Sequence, residues 1–279
     1  MRIDAHQHFW RPERGDYGWL THDLAPLYRV FEPDDLAPEL DRNDIGGTVL
    51  VQAAPTVAET AYMLSLADAT EIVLGVVGWI DLEAMDAAAQ IAHLAKHPKI
   101  MGLRPIIQDM IDIDWMLQAT LTPAIKAMIE HDLAFDALTL PNHLPNLLEL
   151  CGRHADLRVV IDHASKPDIK TGTFDAWAKD MAAMASQTSA CVKLSGLVTE
   201  ARADWETADF APYVDHLLEH FGPNRMIWGS DWPVCTLACD YTRWVETTQT
   251  LLAALSEFER AAIMGGNAAQ FYKLEGRGE

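Results

Sequence analysis

Residues 1–10, MRIDAHQHFW, read as a short strand that delivers two histidines to its end. Polar and apolar side chains alternate through Arg2-Ile3-Asp4-Ala5-His6-Gln7-His8. Successive side chains on a strand point to opposite faces, so His6 and His8 share one. Two imidazoles directed the same way can bind a metal ion or polarise a carbonyl. A solvated strand with two incidental histidines is the plain alternative, and the rest of the chain decides between them.

Working outward, seven further strand-like runs follow at 48–53, 73–79, 100–107, 133–138, 158–163, 190–195 and 226–231. Longer helical patterns fill most of the gaps. Thr122-Pro123 reads as an N-cap followed by proline at the first helical position, opening a helix to about His131. Phe174, Trp177, Met181 and Met184 recur at three- and four-residue steps, as do Phe210, Val214, Leu217 and Phe221, and both stripes read as core-facing. Gly222-Pro223 stops the second of these helices, and Ser256 with Glu259 forms a capping box for a late one.

Strand-then-helix units without a break in composition predict a single parallel (β/α)8 TIM barrel of the α/β class over residues 1–274, with 275–279 as a loose tail. The stretch from Phe9 to Glu32, before a helix that opens near Pro33, is about 24 residues and long for a loop. It carries Trp10, Tyr17, Trp19 and Tyr28. Those aromatics argue against disorder and predict a segment folded over the barrel mouth as a lid.

At 279 residues with 49% hydrophobic content, the chain is long enough to bury a sizeable core as one barrel. Its formal charge of -20, from 41 acidic and 21 basic residues, argues against nucleic-acid and anionic-membrane partners, which are bound through basic patches. Cys151, Cys191, Cys235 and Cys239 show no zinc-finger spacing and, for the most part, sit in or beside apolar runs, as suits a reducing compartment. No apolar run approaches membrane-spanning length, and nothing resembles a secretory leader. The expected setting is cytoplasmic. No helix face carries an apolar stripe in excess of core needs, so no oligomeric state is assigned.

In this architecture the residues at or just past the C-terminal ends of the strands line the active site. Those ends hold His6 and His8, Gln52, Trp79 and Asp81, Arg104, Asp136, His163, Lys193 and Ser195, and Asp231. Three histidines, an arginine and an aspartate converging on one mouth are hard to attribute to packing. The remaining histidines, among them His93, His97, His131, His216 and His220, read as ordinary surface residues. Lys193 reads as a buried lysine paired with an acid.

The motifs HQHFW, Gly102-Leu-Arg-Pro105, Asp162-His163, Lys193-Leu-Ser-Gly-Leu197, Gly229-Ser-Asp-Trp-Pro233 and Gly266-Asn-Ala268 with Phe271-Tyr272 come in this order. With them the chain resembles the amidohydrolase superfamily from residue 1 to about 274, and within it the "amidohydrolase 2" branch of sugar and pyrone lactonases. The resemblance implies a hydrolase with His6, His8, His163 and Asp231 as its catalytic cluster. Binuclear members carry a carbamylated lysine at the end of strand 4. Arg104 stands there instead, and a guanidinium cannot ligate a cation. The resemblance therefore implies at most one divalent ion, Zn, on His6, His8 and Asp231, and no organic cofactor. Some relatives in this branch work without a metal.

Opening a lactone needs an activated water, a polarised carbonyl and a proton for the leaving alkoxide. Asp231 is the candidate base, with His6, His8 and His163 as donors or ligands and Arg104 holding a substrate oxygen. Gln52, Asp136 and Ser195 suit the hydroxyls of a sugar ring, and Trp10, Trp19, Trp79 and Trp232 suit its apolar face. The expected partner is a small aldono-1,4- or 1,5-lactone of the L-fucono or L-rhamnono type. Two alternatives are a metal-dependent decarboxylase or hydratase of the same superfamily and a non-catalytic ligand-binding barrel.

Overall fold

The structure is a computed structural model in which residues 1–274 are described; the expected tail, 275–279, lies outside the described residues. Eight strands run β1 (Arg2–Gln7), β2 (Ile45–Val51), β3 (Val73–Gly78), β4 (Ile100–Leu103), β5 (Ala134–Ala137), β6 (Val159–Ile161), β7 (Cys191–Leu194) and β8 (Met226–Trp228). They pair in chain order, every pair parallel. Helices α1 (Pro33–Asn43), α2 (Val57–Ala69), α3 (Ala87–Leu94), α4 (Thr122–Glu130), α5 (Leu144–Arg153), α6 (Asp175–Gln187), α7 (Thr207–Phe221) and α8 (Tyr241–Leu251) alternate with them. This is the expected (β/α)8 barrel. Two short helices, α9 (Glu257–Ala261) and α10 (Asn267–Tyr272), finish it.

Closure depends on the segment after β8. The Asp231 N–H donates to the His6 carbonyl at 2.8 Å and the His8 N–H to the Trp232 carbonyl at 2.7 Å. The same two bonds that join the ends of the sheet bring Asp231 beside both histidines.

All eight expected strands are present, but several end early. The runs expected at 100–107 and 226–231 leave the ladder after Leu103 and Trp228. Pro105 has no N–H to offer a neighbouring strand, and Asp231 takes a left-handed backbone, φ 58°, that no strand can contain.

Simple alternation also fails within β1. Asp4 pairs with Thr48 and Gln7 with Leu50, so β1 carries one residue more than β2 across this interval. Such a bulge re-aims side chains next to functional sites. Asp4 turns its carboxylate to Tyr241 of α8 and to Ser230, whereas His6 faces Lys193 of β7 inside the barrel.

Helix chemistry follows the reading closely. Trp177, Met181 and Met184 on α6 and Phe210, Val214, Leu217 and Phe221 on α7 are buried. Gly222, φ 68°, terminates α7, and Ser256 and Glu259 cap α9 reciprocally. Thr122 is corrected: it is the first residue of α4 and Leu121 holds the cap position.

The floor of the barrel packs Ile3, Ala5, Val49, Val51, Val77, Val160 and Ile227 against Ala268 and Tyr272 of α10, which plugs the end opposite the mouth. Residues 9–32 form a pinned wall. Trp10 and Phe31 exchange backbone hydrogen bonds at its two ends, and the Trp10 indole donates to the Leu27 and Arg29 carbonyls. Tyr17, Trp19 and Phe31 ring Trp10, and the Trp19 indole donates to Ala53 just beyond β2 at 2.7 Å.

Candidate active site at the barrel mouth

His6, His8, His163 and Asp231 meet at the C-terminal ends of β1, β6 and β8. Asp231 Oδ1 lies 3.3 Å from His8 Nε2, and 3.8 Å from Nε2 of both His6 and His163. All four are almost wholly buried, and Asp231 is 5% exposed, enough to meet a small molecule. Two of them hold left-handed backbone, His163 at φ 52° and Asp231 at φ 58°. Non-glycine residues adopt this region at a cost.

Burial pushes the Asp231 carboxyl upward, but the charges of His163, His6 and His8 and the His8 hydrogen bond outweigh it and hold the group well below its usual value. Burial lowers His163 to about 4, against the pull of Asp231 and Asp162. Burial and the charge of Lys193 lower His6 as well. At neutral pH the site therefore holds an ionised Asp231 beside neutral His6 and His163 rings.

The rings are fixed from behind. His8 Nδ1 lies 2.7 Å from the Val51 carbonyl, and His163 Nδ1 lies 2.9 Å from Ser195 Oγ. Gly196, φ +63°, is required beside His163, since a Cβ there would stand 2.4 Å from the ring nitrogen. Behind His6, Lys193 Nζ contacts Asp136 at 2.6 Å, Asp162 at 2.9 Å and His6 Nδ1 at 3.1 Å, with the Tyr272 hydroxyl donating to Asp136 at 2.6 Å. Lys193 is thus the acid-paired buried lysine that was expected.

Several residues expected to contact a ligand are held by protein neighbours. Trp10, Gln52, Asp136 and Ser195 are fully buried. Trp10 is the hub of the aromatic wall, Asp136 holds Lys193, and Ser195 holds His163. Gln52 donates to the Arg104 carbonyl and accepts from the Arg104 guanidinium. Arg104 is 4% exposed, and Nη1 and Nη2 face His6, Asp162 and Gln52. Nη1 lies 3.2 Å from His6 Nε2, the ring nitrogen that also faces Asp231, so the guanidinium borders the cluster on the Asp231 side of His6. Asp81 is exposed and caps its own turn at Glu83. Trp19 and Trp79 keep accessible surface, while Trp232 packs against Phe9 and Phe31. His143, grouped with the surface histidines, is buried, and its Nδ1 accepts from the Leu140 N–H.

Three buried acids were missed as individual participants. Asp162 sits between Lys193, His6 and Arg104; regular strand alternation would send Asp162 and His163 to opposite faces, and the left-handed turn at His163 brings both inward. Asp4, displaced by the bulge and pushed up to about 6 by burial, accepts from Ser230, Tyr241 and the His6 N–H. Glu59 of α2 accepts the Ala53 and Ala54 N–H groups just after β2. A buried carboxylate that grips backbone leaves no spacing signal in a sequence.

The donor set fits one divalent cation. One ligand atom each from His6, His163 and Asp231 lies within 4.8 Å of the others, with His163 in the place that was expected for His8. His8 meets an acceptor at each ring nitrogen, the Val51 carbonyl 2.7 Å from Nδ1 and Asp231 Oδ1 3.3 Å from Nε2. A cavity of about 1060 Å³ lies at the other end of the barrel between Arg2, Asp44 and Phe258 and meets none of these residues.

A family model described as amidohydrolase matches residues 3–274. The chain is 46% identical over 279 residues to L-fucono-1,5-lactonase of Burkholderia ambifaria, covering 99% of this chain and 96% of that protein. It is 35% identical over 294 residues to L-fucono-1,5-lactonase of Burkholderia multivorans, covering 98% and 96%. A crystal structure of an amidohydrolase from Burkholderia multivorans with bound zinc superposes with a TM-score of 0.92 at 35% identity, covering 99% of this chain and 100% of that one.

Proposed function

The chain belongs to the amidohydrolase family, and from that premise we propose that it hydrolyses a sugar-acid lactone, an aldono-1,5-lactone of the L-fuconolactone type, at the mouth of its barrel. One observation carries the mechanism: a single ionised carboxylate, Asp231, converged on by three imidazoles. The names of the two relatives supply the substrate class and favour hydrolysis over decarboxylation or hydration.

Asp231 takes the proton from the attacking water. The three imidazoles surround the carboxylate, which is ionised at neutral pH, and aim it before substrate arrives, the preorganisation that general-base catalysis needs. After the tetrahedral species forms, the protonated Asp231 returns its proton to the ring oxygen as the ester C–O bond breaks. His6, His163 and Asp231 would hold a divalent ion, and that ion would polarise the lactone carbonyl as a Lewis acid. Arg104, Lys193 and Asp162 keep His6 in position. Trp19 and Trp79 offer accessible indole to the apolar face of the sugar. The enzyme works in the cytoplasm, a setting in which its four free cysteines stay reduced.

A pH-indicator assay over a panel of aldonolactones tests this reading, run on wild type, on Asp231→Asn and with a chelator present. Acid release from one or two sugar lactones, reduced by about 100-fold or more in Asp231→Asn, is expected. Loss of turnover in chelator, restored by Zn, is the result that assigns the metal. No release across the panel from folded, Zn-supplemented protein overturns the proposal.

A further inference from the structure

The last two turns of α7 carry His216, Glu219 and His220, spaced so that all three share one face of the helix. One ligand atom from each lies within 4.8 Å of the other two. The His216 and His220 rings stand 4.3 Å apart between centroids. This is the one group besides the mouth that brings three such donors together among the described residues. Read from sequence alone, both histidines are ordinary surface residues.

His216 differs from a free surface histidine in two ways. Its ring is wedged against α6, with centroids 5.6 Å from Phe174 and 5.4 Å from Trp177. Its Nε2 lies 2.7 Å from the Ala178 carbonyl of α6. A carbonyl only accepts, so Nε2 carries the proton and the lone pair is left on Nδ1. Metal-binding histidines are oriented by this same device, with one ring nitrogen donating to a backbone carbonyl while the other is held ready for the ion. Most of the entropy of ordering His216 is therefore already spent on packing, and only Glu219 and His220 need to settle.

We propose that His216, Glu219 and His220 form a second, peripheral binding site for a borderline divalent ion such as Zn²⁺, Ni²⁺ or Cu²⁺. Two imidazoles and one carboxylate select that class over Mg²⁺ and Ca²⁺, which prefer oxygen ligands. The net charge of -20 raises the local concentration of any cation. In a barrel the helices run antiparallel to the strands, so the C-terminal end of α7 lies at the end opposite the mouth. The site is separate from Asp231, and an ion bound there ties the outer face of α7 to α6 through His216.

Isothermal titration of the chelator-stripped full chain with Zn²⁺ tests this. Wild type is expected to take up one equivalent more than His220→Ala, or to bind that equivalent about tenfold or more tightly. Glu219→Gln is expected to weaken the same step, and Mg²⁺ to leave it empty. Circular dichroism checks that the variants fold, which the part-exposed positions favour. Lactone turnover by zinc-replete His220→Ala is expected to equal that of wild type. Equal stoichiometry and affinity in wild type and His220→Ala, or equal filling by Mg²⁺, would overturn the site.

Discussion

Ser195 shows how a side chain with no accessible surface controls one that reacts. Its hydroxyl, 2.9 Å from His163 Nδ1, fixes how that ring faces Asp231. Ser195→Ala removes the hydrogen bond without touching a ligand. The expected result is a fall of about 10- to 100-fold in activity or metal affinity, with global stability changed by only about 1 kcal/mol. Steady-state kinetics beside urea denaturation separates the two, and unchanged kinetics would remove Ser195 from the machinery. Sequence position alone marked Ser195 as facing the mouth but assigned it to substrate hydroxyls. The difference lies in depth: a strand-end residue can point inward and still be covered by its neighbours.

Between elements, two buried acids carry the testable electrostatics. Glu59 joins α2 to the chain beyond β2, and burial pushes its carboxyl up to about 7 from an ordinary 4.5, against the lowering effect of the Ala53 and Ala54 N–H groups. The folded protein thus holds this proton more tightly than the unfolded chain does. The stability linked to it is fully present below pH 4.5 and is lost as the pH rises through 7. The stability of wild type relative to Glu59→Gln should therefore fall by about 3 kcal/mol between pH 4.5 and 8, read from urea midpoints at several pH values. A pH-independent difference would show that Glu59 titrates normally. Lys193 links β5, β6, β7 and α10 by bridging Asp136 and Asp162. Lys193→Met removes the cation that two buried carboxylates share and should cost about 3–5 kcal/mol. Adding Asp136→Asn should recover part of that loss in a double-mutant cycle; a neutral single variant would mean that the network adds nothing.

At the scale of the whole molecule, the chain is closed at both ends by segments that lie outside the sheet. At the mouth the residues after β8 bond back to β1, and at the base α10 sets Tyr272 among Ile3, Ala5 and Val49. A chain ending at residue 266 would lose Tyr272 and its bond to Asp136, exposing the apolar floor. It should be insoluble or lack a cooperative thermal transition, as monitored by circular dichroism. A truncated chain that melts cooperatively near the wild-type temperature would show that the plug is dispensable. Much of this fold was legible in the sequence. Eight strand runs, helix stripes and capping residues are local patterns, and burial of apolar side chains enforces them at their own periods of two and 3.6 residues. His6, His8, His163 and Asp231 were legible as well, because barrel topology sends strand ends to one mouth. What only the tertiary structure decided is which of the inward residues stay open to solvent and which lock the others in place. The bulge in β1 separates Asp4 from His6, the left-handed turn brings Asp162 beside His163, and Arg104, Gln52 and Asp136 are turned to their neighbours. Those outcomes depend on close packing between segments far apart in the chain, where one extra residue or one positive φ redirects a side chain, and no local pattern encodes that distance.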